Sequence, residues 1–302
     1  MQEAEPTPKR GGGLISIIPT ENPLAFRGRS SRWILPIDFS GGMKPLQEGY
    51  TRENDILGYE DPTIRVEIHS GRDDYCDWWE AEIWIADPSQ LRTAGADSFR
   101  SEMTVPGRVI ANRVNAVVAV DGDYFCYSGW GYIVRQGHVF LKRLYPDGSR
   151  DVLLIDEDGN FHVVPHAREQ DVGETVNGRR VINAFFFGPG LVIDSRESGN
   201  YEFPDMAYQL GSQRMALCQV GELHYKVICC GSPQRSSTGM TMERFAAFCR
   251  ERGAVTAYNL DGGDSTFLYF DGAKVNDIWN PNMRELADIV YFASAYGAES
   301  GR

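Results

Sequence analysis

The chain has 302 residues, a formal net charge of −12 and 42% apolar residues. That apolar share is enough for a sizeable core. The acid excess, with no basic stripe, argues against a nucleic-acid binder, and no run of about 18 apolar residues is present to form a membrane-spanning helix.

Residues 1–30 are rich in Pro, Gly and charge and are expected to form a flexible N-terminal tail, followed by one catalytic domain over 31–297. The basic cluster from Arg27 to Arg32 is short and interleaved with Gly and Ser, the composition of a solvated linker. Leu14 to Pro19 is too short and too late for the apolar part of a signal segment. Residues 31–60 carry Gly41-Gly42, Pro45 and few periodic positions, which predicts an irregular covering segment.

From Thr63 the pattern turns to β, with Ile64, Val66 and Ile68 alternating, then Glu80 to Ile85 ended by Asp87-Pro88. Ser89 to Thr104 reads as weakly helical or mixed. Val105 to Asn112 predicts a helix, and Asn115 to Val120 a strand covered on both faces. Hairpins follow around Gln136-Gly137 and Asp156 to Asn160, and Arg179 to Phe187 is a further apolar strand running into Gly188-Pro189-Gly190. Arg214 to Val220 and Leu223 to Cys229 form a hairpin through Gly221-Glu222. Thr241 is a good N-cap for a helix over Met242 to Arg252, whose apolar positions share one face, with Gly253 as its C-terminal stop. Strands over Ala254 to Leu260, Thr266 to Phe270 and Asp288 to Ala295 complete the reading. The strand–helix–strand run is a single βαβ-like crossover in a mostly antiparallel protein.

The six cysteines form no C-x-x-C pair, so the usual structural zinc spacing is missing. Several fall in apolar strands or on the helix face, where free thiols pack as small hydrophobes; a disulfide framework is the alternative. The five histidines share no metal spacing, and no Gly-x-Ser-x-Gly elbow supports Ser-His-Asp catalysis. Trp78, Trp79 and Trp84 read as core or as a sugar-stacking platform.

Two acidic glycine corners stand out. Asn259-Leu260-Asp261-Gly262-Gly263-Asp264-Ser265 ends one strand, and Asp121-Gly122-Asp123-Tyr124-Phe125 ends another. Glycine permits positive φ and close backbone approach, so the two corners could gather several carboxylates around one cleft. The plainer reading is a pair of turns whose aspartates bond their own backbone.

The run from Arg214 through Ser236-Ser237-Thr238-Gly239-Met240-Thr241 to Asn259–Ser265 resembles the phosphodiester glycosidase family. Asn115 to Phe125 and Asn183 to Leu191 are similar to two further family strands, and the resemblance covers roughly residues 60–297. It implies an α+β fold of mixed, mostly antiparallel sheets with a few helices, and hydrolysis of a sugar-1-phosphodiester. It also implies a sugar-phosphate or polysaccharide substrate and an extracellular or cell-envelope setting. Asp121 stands where the family usually has Asn, and Asp264 where it usually has a third Gly; both add negative charge beside an anionic substrate.

Glycosidic cleavage needs a carboxylate at the anomeric carbon, while a phosphate leaving group needs positive charge more than a proton. The implied catalytic set is therefore Asp261, Asp123 and Arg214, the last as phosphate clamp. Ser237, Thr238 and Gly239, at a helix start, together with Gly262, Gly263, Asp264, Ser265, Asp121 and Gly122, are the implied substrate-binding set. No cofactor is implied. Mg²⁺ or Ca²⁺ enters under one alternative, a metal-assisted phosphodiesterase using the four aspartates. A second alternative is a non-catalytic carbohydrate-binding protein.

Overall fold

The structure is a computed structural model that describes Leu24 and residues 35–73, 76–202, 208–231, 239–277 and 284–298. The expected tail, residues 1–30, lies outside the described residues apart from Leu24.

The segment expected to be irregular contains a hairpin. β1 (Tyr50–Glu53) and β2 (Ile56–Asp61) are joined by Asn54 and Asp55, with φ of 48° and 65°. Asn and Asp tolerate this left-handed region, and two such residues close a tight hairpin whose twist matches its strands. The edge strand β1 is largely exposed and so carries no apolar alternation. β3 (Ile64–Asp73) buries Ile64, Val66 and Ile68 on one face, and β4 (Cys76–Ile85) pairs with it.

The stretch expected to be weakly helical or mixed contains β5 (Leu91–Gly95), buried at all five positions. Arg92 in its middle is fully buried, with its guanidinium on the carbonyl oxygens of Pro36, Ser89 and Asp38. α1 (Gly107–Arg113) leads into β6 (Ala116–Asp121), which is buried throughout, and then the short α2 (Phe125–Ser128).

Seven strands follow: β7 (Gly131–Arg135), β8 (His138–Arg143), β9 (Val152–Asp156), β10 (Phe161–Val164), β11 (Thr175–Val176), β12 (Arg179–Phe185) and β13 (Gly190–Ile193). After β14 (Arg196–Glu197), β15 (Arg214–Gly221) and β16 (His224–Gly231) form the expected hairpin. Its two-residue turn is Glu222-Leu223, one residue later than expected, after a register shift between Gln219 and Gly221. α3 (Met242–Glu251) is capped by the Thr241 side chain, which accepts from Arg244 N at 3.2 Å, and Gly253 follows at φ 85°. β17 (Thr256–Asn259), β18 (Leu268–Phe270), β19 (Ala273–Lys274) and β20 (Asp288–Ala293) close the chain.

The strands make three antiparallel sheets, in the orders β1-β2-β3-β4-β16-β15-β17-β13-β14, β10-β9-β12-β7-β8 and β19-β18-β6-β20-β5. β16 and β17 both run antiparallel to β15 between them, so the β16–α3–β17 connection is the parallel crossover expected from sequence. This is an α+β fold with mostly antiparallel sheets. All three sheets share one core, to which Val66, Val118, Leu153, Phe185, Met215 and Tyr258 contribute. α3 packs Phe245 and Phe248 on the outer face of the nine-stranded sheet, and α1 packs Ile110 on the outer face of the five-stranded one. With the sheet faces covered this way, the ends of β6 and β17 open at one rim. Among the described residues no helix is long and apolar enough to cross a membrane, and all six cysteines are free, five of them buried.

Candidate active site

The two acidic corners meet. Asp261 N donates to Gly122 O at 3.3 Å, and Asp121 N to Phe267 O at 3.3 Å. Phe267 N returns a bond to Asp121 Oδ1 at 2.8 Å. The glycines serve close approach more than positive φ. A Cβ on Gly122 would overlap the Asp288 carboxylate, and one on Gly262 would stand 2.7 Å from Gln213 O. Of the glycines in the two corners only Gly263, at φ 57°, has a left-handed backbone; it begins a single 3₁₀ turn ending at Ser265.

Asp121, Asp123, Tyr127, Asp261, Ser265 and Arg284 line the cleft between the corners. The free space among them is about 10 Å³, room for one water-sized species. Asp261 is 8% exposed. Burial raises its pKa to about 6, against the lowering effects of Ser265, the Gly262 amide and Arg284. Asp121 is more deeply buried. Burial first, and the neighbouring Asp261 charge second, hold its carboxyl well above the usual range. Its Oδ1 accepts from Phe267, while Oδ2 has no hydrogen-bond partner among the described residues.

The other two buried carboxylates have their oxygens engaged. Asp123 Oδ1 accepts from Tyr124 N at 2.9 Å and Oδ2 from Phe186 N at 2.7 Å, with Arg135 Nη2 at 3.7 Å. Asp288 Oδ1 accepts from Asp123 N at 2.9 Å, and Oδ2 takes Arg135 Nε at 3.1 Å and Nη2 at 2.8 Å. Arg135 is itself fully buried against the Phe185 ring, 4.3 Å from its centroid. Burial raises the pKa of both acids, more than Arg135 lowers them. Asp264 is exposed on the rim, and its backbone carbonyl takes the Arg284 amide at 3.1 Å. The four aspartates therefore do not present a common set of open oxygens. Among the described residues no three His, Cys, Asp or Glu side chains are grouped to hold a metal ion.

The positive charge facing Asp261 comes from a residue that sequence reasoning missed. Arg284 Nη1 lies 3.6 Å from Asp261 Oδ2 and donates to Ser265 Oγ at 3.2 Å, and its guanidinium sits 5.6 Å from the Tyr124 ring centroid. Its side chain is 38% exposed, so the guanidinium keeps a face toward solvent. Arg214, the expected clamp, runs its backbone beside Gly262. Its guanidinium instead donates to Met240 O at 3.2 Å and Leu210 O at 3.1 Å, and burial lowers its pKa. Arg214 is not among the residues lining the cleft. Gly239 has φ 111° and packs so tightly on Ser212 O that no side chain fits. Ser237 and Thr238 lie outside the described residues.

A model of the phosphodiester glycosidase family matches residues 114–293. Among solved structures, the catalytic domain of zebrafish N-acetylglucosamine-1-phosphodiester α-N-acetylglucosaminidase, auto-inhibited by its pro-peptide, is similar at a TM-score of 0.62 and 17% identity. The match covers 78% of this chain and 85% of that one. A hypothetical protein from Synechocystis is similar at a TM-score of 0.52 and 15% identity, over 78% of this chain and 63% of that one. At these identities the two likenesses establish a shared fold. None of the curated proteins is similar enough in sequence to match.

Proposed function

This chain belongs to the phosphodiester glycosidase family, and on that premise we propose that it hydrolyses the sugar C1–O bond of a glycosyl-1-phosphodiester. The carrier is a glycan, exopolysaccharide or cell-envelope polymer. The observation that carries the reading is the pairing of Asp261, a buried carboxyl titrating near 6, with the half-exposed guanidinium of Arg284 at 3.6 Å.

The roles follow from the charges that develop. As the C1–O bond breaks, positive charge grows at the anomeric carbon and negative charge on the departing phosphate. Ionised Asp261 stabilises the first and takes the proton of the attacking water. Water oxygen bonds to C1, the bonding pair of C1–O leaves with the phosphate, and the products are a free sugar and a phosphomonoester. Arg284 meets the phosphate oxygens, for which a guanidinium offers paired donors. Ser265 bonds both Asp261 and Arg284 and keeps them in register.

Asp121 acts in its neutral form. With Oδ1 accepting from an amide, the proton belongs on Oδ2, which has no other partner among the described residues. This removes the repulsion that a second carboxylate would direct at an anionic substrate. Asp123 and Arg214 support the site's walls in this reading, and catalysis rests on Asp261 and Arg284.

Hydrolysis of a glycosyl-1-phosphodiester in ¹⁸O-water tests it. Label in the released sugar is the expected result. Label in the phosphate would mean P–O cleavage and overturn the assignment.

A further inference from the structure

A second cavity, of about 740 Å³, opens between the β1–β2 hairpin and the β18–β19 hairpin. That is the size of a small-molecule site. It shares no residue with the Asp261 cleft. Tyr50, Trp79 and Phe270 give it aromatic surface; Arg52, Ser70 and Lys274 add polar groups, and Asp55 and Asp271, in the turns of the two hairpins, also border it. Tyr50 and Phe270 meet edge to face, with ring centroids 5.2 Å apart. Of the three tryptophans clustered in sequence, Trp78 lies beneath Arg252 and Trp84 stacks on His224, while Trp79 borders this cavity.

Lys274 gives the cavity its chemistry. Its side chain is half-buried, and burial lowers its pKa. Among the described residues it has no hydrogen-bond or ion-pair partner, and the Asp277 charge offsets the lowering only in part. A partly desolvated ammonium without a partner is unfavourable unless an anion answers it. Aromatic faces with hydroxyls beside them are the surfaces on which sugar rings pack, apolar side down and hydroxyls outward.

We propose that this cavity binds a saccharide unit bearing an anionic group, with Lys274 on the anion and Tyr50 and Trp79 against the ring. It is a binding site distinct from the Asp261 cleft, and its existence does not depend on the reaction proposed there. The anion can be the carboxylate of a uronic acid or the phosphate of a sugar phosphate.

Tryptophan fluorescence titration of the full chain with glucuronic acid, glucose 1-phosphate and glucose tests this. Both anionic sugars should bind at least about tenfold more tightly than glucose, the gain expected from one charge-assisted contact. Binding of one anionic sugar alone would identify the source as carboxylate or phosphate. Lys274→Met should abolish the preference, and Ala273→Trp, at an exposed position on the rim, should block all three sugars. Arg284→Ala, in the other cleft, should leave glucuronic acid binding unchanged. Equal affinity for glucose and the anionic sugars, or a preference that survives Lys274→Met, would overturn the proposal. So would binding lost in Arg284→Ala and retained in Ala273→Trp, which would place the sugar in the Asp261 cleft. Hydrolysis of a short soluble phosphodiester should be unaffected by Lys274→Met, so failure here and failure of the reaction assignment are separable.

Discussion

The backbone amide of Asp261 donates to the carbonyl oxygen of Gly122 at 3.3 Å, which ties the end of a strand in the nine-stranded sheet to the end of a strand in the five-stranded one. Two carboxyls from different sheets are thereby held together by main chain, before either side chain is placed. Their mutual repulsion is built into the fold, and it answers to pH.

In the proposed reaction Asp261 acts ionised, so kcat/KM should fall on the acid side with an apparent pKa near 6. A raised carboxyl pKa also links to stability. The contribution is complete below the unfolded value, about 3.9, and is lost as pH rises through about 6, a loss of roughly 3 kcal/mol. Asp261→Asn should remove about 10³-fold of activity while raising the melting temperature at pH 7. A pH–rate profile with no acid limb between 5 and 7 would remove Asp261 from the central role.

Asp121 carries the same sign with a stronger shift. Its stabilising contribution is present below the unfolded pKa and is lost as pH rises toward its elevated folded value. Asn is a neutral isostere of the protonated acid and avoids that loss. Asp121→Asn should therefore be more stable than wild type by a margin that widens from pH 5 to pH 8, with kcat/KM within about tenfold. A margin constant with pH, measured by thermal melts, would show that Asp121 is ionised in the folded chain.

Arg284→Ala should lower kcat/KM by about 10²–10³-fold, the scale of losing one donor to developing negative charge. Arg284→Lys should restore part of it, since charge returns without the forked geometry. Both should fold normally, because the guanidinium is half-exposed. Arg214→Ala should act the other way round, lowering the melting temperature by freeing the Met240 and Leu210 carbonyls. Equal activity in wild type and Arg284→Ala would return the clamp role to Arg214.

The parts of this arrangement that sequence reveals are local. The Asp261-Gly262 corner, the Thr241 cap and the β15–β16 hairpin each depend on residues a few positions apart, and their spacing is visible in the chain. Arg284 gives no such sign, for its partners Asp261 and Ser265 lie across a long excursion and its neighbours show no periodicity. β5 was hidden for a different reason. A fully buried strand has no alternation, and Arg92 in its middle suggests solvent, whereas here three carbonyl oxygens take its guanidinium. The β1–β2 hairpin was hidden because its edge strand is exposed and its Asn54-Asp55 turn lacks glycine.

Asp123 illustrates the same limit at the site itself. An acidic residue two places past the end of a strand, beside a tyrosine, has the look of a catalytic group. Both its oxygens instead hold backbone amides, of Tyr124 and Phe186, and Arg135 bridges it to Asp288. Breaking one member of a buried charge network leaves the others uncompensated, which costs about 3–5 kcal/mol. Arg135→Met should produce that loss by denaturant unfolding, with two carboxylates left facing each other. Asp123→Asn should also destabilise, because one of its amide donors must confront another amide. In both variants the protein that remains folded should keep kcat/KM within about tenfold, since the proposed reaction gives neither residue a part in bond making or breaking. An Asp123→Asn protein of wild-type stability that has lost activity by 10³-fold or more, in the range of a missing acid or base, would move Asp123 from the scaffold to the chemistry.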